Sequence, residues 1–291
     1  MIESKDNEKL KLVRKLRERK HREREGLFAT EGEDLLEAGL AAGAEPRFVL
    51  VAPRARSTSG SPDETPSTSG SSDGAPSTSG SSDEARSTSG SPDEARSTLV
   101  PLSETKDDRV GRGVAFDEVA PELLDSVSSL GSGTRVIAVW PLVRAAAPAA
   151  PCVYLDGVGD PGNVGTIIRS AHALLDATVA LGPDCADPYG PKATRASMGS
   201  LFGRPPALVA GVEETPRPRV ALVAHGGAGL EALAGAGTVC LGAERQGLRP
   251  EVVAACDAGV TIPLHGGAES LNVAAAAAVA CARMSEERTS A

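Results

Sequence analysis

Residues 152–181 read CVYLDGVGDPGNVGTIIRSAHALLDATVAL, and their pattern decides the fold. A short apolar run at 153–155 leads through a glycine-rich loop into a helix-period segment at 164–175, then a second β-branched run at 178–181. On a helical wheel Val164, Ile167, Ile168, Ala171, Leu174 and Leu175 share one arc, while Arg169 points away from it. Strand, helix and strand in that order, with near-continuous apolar strands, predict a parallel sheet. The alternation continues downstream, with strands expected at 220–223, 238–241 and 260–262. Helices are expected between and after them at 191–201, 230–234, 248–256 and 271–284. The fold class is α/β, a C-terminal parallel sheet with helices on both faces. Ligands of such sheets sit in loops beyond the strand carboxyl ends.

Upstream, residues 1–144 read as a smaller α/β domain. Its elements are a basic helix-prone run at 5–24 with Leu10, Val13 and Leu16 at helical spacing, then a helix at 33–42 and a strand at 47–51. A strand at 114–116, a helix at 121–128 and a buried strand at 135–139 complete it. A ten-residue repeat interrupts the domain at 57–96, running STSGSPDETP, STSGSSDGAP, STSGSSDEAR, STSGSPDEAR. With alanine as its only apolar residue, it cannot bury enough surface to offset its ordering entropy, and disorder is expected. Residues 145–151 (AAAPAAP) read as a linker, 152–284 as the second domain and 285–291 as a disordered tail.

Composition removes several classes. A chain of 291 residues with 41% apolar and 24% charged residues is globular and long enough for two domains. No apolar run approaches the roughly 18 residues of a membrane span, and the charged first thirty residues are not signal-like. Five scattered cysteines without a Cys-x-x-Cys pair argue against a disulfide framework or zinc ribbon and predict a reducing cytoplasm. The net charge of −9 hides a local excess of ten basic over six acidic residues in the first thirty, so a nucleic-acid partner stays open. Only seven aromatics argue against extensive base stacking.

Three loops carry candidate chemistry. In the first, Gly157-x-Gly159-x-x-Gly162, with Asp184 after the next strand, matches a dinucleotide fingerprint. Pro161 removes an amide from it, and the alternative is a tight turn with Asn163 as helix N-cap. Arg169 reads as a solvated arginine or, given its nearness to the ligand end of the sheet, an anion contact. In the second, LGAERQGL (241–248), Gly242 permits close backbone approach and Glu244 stands at a strand end; a surface turn is the plain alternative. In the third, IPLHGGAESLNVAAAAA (262–278), Ser270 and Asn272 stand at a helix N-terminus suited to an anion. His265 lacks a partner at ligand spacing, so no metal is expected. Serine-hydrolase, P-loop and zinc-protease motifs do not occur.

In order and spacing, DGVGDPGNVGTIIRSA (156–171) with DPYGPKATRASMGSLF (187–202), LGAERQGL and IPLHGGAESLNVAAAAA resemble the SpoU/TrmH family of RNA ribose 2′-O-methyltransferases, members of the SPOUT superfamily. Residues 14–40, RKLRERKHREREGLFATEGEDLLEAGL, more loosely resemble the substrate-binding extension of the ribosomal-RNA members. The resemblance implies S-adenosylmethionine as cofactor, a C-terminal trefoil knot and a homodimer with sites at the subunit interface. It also implies RNA as partner, ribosomal RNA ahead of transfer RNA. By position it assigns cofactor contacts to Gly242, Ile262 and Leu271. Asn163, Arg169, Glu244, Ser270 and Asn272 correspond to the residues around the reacting ribose. Two other readings are a noncatalytic RNA-binding relative and a dinucleotide-dependent oxidoreductase, the latter using only the first loop and Asp184.

Overall fold

The computed structural model describes residues 1–53, 116–129, 131, 133–266 and 270–289. The repeat at 57–96 and residues 114–115 of one expected strand lie outside them. Met1–Pro53 and Arg112–Ala291 belong to one compact unit, which contains two sheets.

The first sheet grows from the N-terminal run. Helix α1 (Glu8–Lys15) is capped by the Asn7 side chain, which accepts from Lys9 N at 2.9 Å, and it buries Leu10 and Val13. The single helix expected over 5–24 is interrupted at Leu16, and α2 (Arg19–Glu25) follows. The break is offset by Arg22, whose Nη1 donates to Leu16 O (2.7 Å) and Arg17 O (2.8 Å) while its Nη2 reaches Asp187 (2.5 Å). Gly26, at φ +63°, turns the chain into β1 (Leu27–Glu31), a strand the sequence reading missed. Then come α3 (Glu33–Ala41), β2 (Phe48–Val51), β3 (Phe116–Glu118), α4 (Pro121–Val127) and β4 (Val136–Pro141). The order is β1-β4-β2-β3, with β4 antiparallel to β1 and β2 and β3 parallel to β2. Leu10, Val13, Leu16, Phe48, Leu124 and Ile137 form its core.

The second sheet comprises β5 (Cys152–Asp156), β6 (Thr178–Leu181), β7 (Ala207–Leu208), β8 (Arg219–Leu222), β9 (Thr238–Gly242) and β10 (Ala258–Val260). Its order is β10-β8-β9-β5-β6-β7, and every pairing is parallel. Between and after the strands lie α5 (Pro161–Leu175), α6 (Pro191–Ser197), α7 (Ser200–Gly203), α8 (Pro250–Ala254) and α9 (Val273–Thr289). All five residues of β5 are buried, as a central strand requires. Cys152, Tyr154, Ala180 and Cys240 pack with Val252 of α8, so by strand alternation Val153, Val179 and Val239 face the other side. The order reverses at β5: β6 and β7 lie to one side, β9, β8 and β10 to the other, which makes the β5–β9 boundary the ligand end of the sheet.

Several expected boundaries move. The helix expected at 191–201 splits because Met198 (φ +47°) and Gly199 (φ +83°) are left-handed. A side chain at Gly199 would overlap Ala38, so the break lets α3 approach α7. The 230–234 helix is a 3-10 turn, Leu230–Leu233. Helix α9 continues to Thr289, through most of the stretch expected as a disordered tail. Leu174 is 41% exposed and does not join the buried arc of α5.

Candidate active site

Helix α5 begins at Pro161, and its cap is Asp160, whose Oδ1 accepts from Asn163 N at 3.0 Å. Proline at the first helical position carries no amide to satisfy there. Asn163 is therefore not the N-cap. It lies in the first turn, with its side chain free to reach other loops. Lys192 Nζ, 2.7 Å from Asp160 Oδ2, and then the Asn163 amide hold the Asp160 carboxyl below its ordinary range.

Asn163 joins the three motif loops. Its Nδ2 donates to Glu244 Oε1 on the second loop. Its Oδ1 accepts from Asn272 Nδ2 on the third loop at 3.2 Å. Asn272 in turn caps α9, its Oδ1 accepting from Ala274 N (2.9 Å) and Ala275 N (3.3 Å). Residues separated by up to 109 positions thus share one hydrogen-bonded chain, Glu244–Asn163–Asn272, at the ligand end of the sheet.

Beside this chain opens a cleft of about 140 Å³. Gly242, Glu244, Ile262, Ser270 and Leu271 are among its lining residues, with Leu222 at the end of β8 and Val223 and Ala224 just after it. Gly242 has a steric reason to be glycine, since a Cβ there would overlap the backbone of Gly247 and Leu248. Ala243 O accepts from Gly247 N at 2.8 Å, and Gly247 has φ +69°, so the loop folds back tightly on β9.

The sequence reading overlooked a pair that anchors this loop. Asp156, 2% exposed at the end of β5, accepts from Arg249 N (3.1 Å), Nε (2.9 Å) and Nη2 (2.6 Å). This bonding and the carboxylate's charge push the Arg249 guanidinium further up. Burial pushes the neighbouring Tyr154 phenol up to about 12, with the Asp156 charge second. The available signal was a charged residue closing an apolar strand and an arginine immediately following LGAERQGL.

Other candidates lie elsewhere. Arg169 is exposed, its side chain makes no hydrogen bond or ion pair among the described residues, and it does not line the cleft. Gly157, Gly159 and Gly162 do not line it either, and Asp184 sits in a left-handed turn after β6. The glycines on which the dinucleotide reading rests thus stand outside this cleft. His265 is exposed, and no group of three metal-ligating side chains occurs among the described residues. No helix among them is long and apolar enough to cross a membrane.

Residues 150–282 match the SpoU rRNA Methylase family, and residues 7–75 match the MRM3-like substrate binding domain. An uncharacterized tRNA/rRNA methyltransferase of Mycobacterium tuberculosis is 32% identical over 198 residues, 62% of this chain and 69% of the relative. The 23S rRNA (guanosine(2553)-2′-O)-methyltransferase RlmP of Bacillus subtilis is 37% identical over 142 residues, 46% of this chain and 57% of that protein. Among solved structures, a putative RNA methyltransferase of the TrmH family from Porphyromonas gingivalis superposes with a TM-score of 0.71 at 25% identity, covering 98% of this chain and 99% of that one. In fold the chain is equally similar to AviRb of Streptomyces viridochromogenes, solved with AdoMet, with TM-score 0.71, 24% identity, and coverage of 98% and 100%.

Proposed function

The chain belongs to the SpoU family of RNA methyltransferases, and from that membership we propose that it methylates a ribose 2′-hydroxyl of ribosomal RNA in the cytoplasm, using S-adenosylmethionine. The observation that carries the reading is the tie of all three motif loops through Asn163, directly beside a cleft with glycine-lined backbone. Ribosomal RNA is preferred over transfer RNA because the N-terminal residues match a substrate-binding domain and a matched relative is named for 23S rRNA.

The cleft suits the cofactor by its construction. Gly242 leaves backbone groups at its wall uncovered, while Ile262 and Leu271 supply apolar contact. These three residues would hold S-adenosylmethionine, which brings a methyl group activated by its sulfonium. The chain threading a loop before α9, as a trefoil knot, would put residues 262–266 and 270–272 on a wall facing the β9 loop.

The rest falls to the chain's own side chains. Asn163, fixed between Glu244 and Asn272, orients the reacting sugar. Ser270, lining the cleft, and Asn272, at the start of α9, hold the third loop and an adjacent phosphate. Arg169 clamps the phosphate next to the target and steadies charge developing on the 2′-oxygen. It acts through its fixed positive charge and its fork of N–H donors rather than as a free base. Its exposure and distance from the cleft within one chain support a homodimer in which Arg169 completes the partner's pocket. Exposed apolar Leu174 on α5 and Val279 on α9, two helices packed on each other, support that face as the contact.

Methyl transfer from labelled S-adenosylmethionine to ribosomal and transfer RNA tests the proposal. Label in 2′-O-methyl nucleosides of ribosomal RNA supports it. Label only in transfer RNA moves the substrate, and no transfer to either RNA rejects the reading.

A further inference from the structure

The β9 strand that ends in the cofactor loop carries Cys240, and Cys256 lies two residues past the end of α8, the helix that follows that loop. Their Sγ atoms lie 3.7 Å apart. Cys240 is fully buried, whereas Cys256 is partly exposed, with its Sγ 3.2 Å from Val252 O. We propose that Cys240 and Cys256 form a reversible disulfide that clamps the two ends of the cofactor loop and thereby controls the cleft. The effect on the cleft rests on the function proposed above; the cross-link does not.

The surroundings assign each thiol a part. The hydrogen bond between the two sulfurs holds Cys256 below the ordinary thiol range, and the guanidiniums of Arg219 and Arg217 add to this against burial and Asp257. The same bond and burial push Cys240 upward. Burial pushes Cys152 and Cys281 up to about 12 and also raises Cys185. Cys256 is thus the accessible nucleophile and Cys240 the resolving thiol, while Cys152 and Cys281 are buried and Cys185, partly exposed, is shifted upward.

With hydrogen peroxide as the oxidant class, the Cys256 thiolate attacks one peroxide oxygen, giving a sulfenic acid and hydroxide. The Cys240 sulfur then attacks the Cys256 sulfur, an S–S bond forms, and the S–OH bond breaks. Hydroxide leaves, and the Cys240 proton accounts for the second water. Two thiols are oxidised by two electrons, and one peroxide becomes two waters. The sulfurs must close by roughly 1.7 Å to reach disulfide length, drawing the end of α8 toward β9 two residues before Gly242. Arg249, at the other end of α8, is pinned to Asp156, so the movement falls on the loop wall.

The test uses the full-length protein, reduced and then exposed to hydrogen peroxide, alkylated, digested and read by mass spectrometry. The expected product is a Cys240–Cys256 linked peptide, with two of the five thiols lost and both restored by dithiothreitol. Cys256→Ser, at a partly exposed position, should lose the cross-link and stay folded, and Cys152→Ser should keep it. The linked protein should bind S-adenosylmethionine about fivefold or more weakly than the reduced protein. Five alkylatable thiols after oxidation, a different linked pair, or Cys256 sulfinic acid without linkage would overturn the proposal. Unchanged cofactor affinity in the linked protein would overturn control of the cleft. Failure of the reduced protein to bind the cofactor would count against the proposed function alone, since the cross-link is read by peptide mass.

Discussion

One amide serves two neighbours at Asn163: it donates to Glu244 and accepts from Asn272. Replacing it with alanine leaves the helix cap intact, because Asp160 does the capping. Asn163→Ala should therefore lower the methyl-transfer rate by about 10- to 100-fold in single-turnover assays. Its melting temperature should stay within about 2 °C of wild type. Asp160→Ala should behave oppositely, costing about 1 kcal/mol of stability in denaturant titration. The sign of its pH dependence follows from the lowered Asp160 carboxyl. Asp160 stabilises above the ordinary carboxylate range, and the gain is lost as pH falls through its depressed value. The gap between wild type and Asp160→Ala should accordingly shrink in acid. A gap that widened in acid would contradict the cap's charge state.

At the scale of elements, Gly242 decides how closely the loop folds on β9. Gly242→Ala would place a methyl group in the Gly247–Leu248 backbone, so the loop must open, and cofactor affinity should fall about tenfold or more by calorimetry. Five of the six strands of the parallel sheet and α5 were legible in the sequence because continuous apolar runs and a 3.6-residue period leave few alternatives for a buried parallel sheet, whereas the two-residue β7 (Ala207–Leu208) was too short to register. The start of α5 was misplaced because Asn163 and Asp160 are both good caps. Pro161 at the first helical position was the cue that favoured Asp160. Strand β1 escaped notice because LFATE is too short and mixed to declare itself; its antiparallel pairing with β4, over a hundred residues away, makes it a strand. The hydrogen-bonded chain through Asn163 was visible only as three motifs in order. Spacing along the sequence does not encode which side chains meet across loops.

Across the whole molecule, the first sheet meets the methyltransferase segment through a few specific contacts. Phe28 lies 4.9 Å from Tyr189, and Trp140 lies 4.7 Å from Phe202, ring centre to ring centre. Arg22 spans the same junction, 3% exposed, with Asp187 as its carboxylate. Arg22→Ala leaves that carboxylate and two carbonyls without their donor and should cost about 3 kcal/mol in denaturant titration. The proposed dimer makes a further prediction. If Arg169 acts in the partner's pocket, mixing impaired Arg169→Ala with impaired Asn163→Ala should raise activity above either alone, to about a quarter of wild type, after subunit exchange. Absence of recovery in exchanged dimers would place Arg169 in its own chain's pocket. The most direct measurement is a map of ribose methylation in ribosomal RNA from cells with the gene, without it, and with Asn163→Ala in its place. The expected map loses one 2′-O-methyl position on deletion, regains it with the wild-type gene, and does not regain it with Asn163→Ala. Identical maps in all strains, or full recovery with Asn163→Ala, would contradict a methyl-transfer site built on the three joined loops.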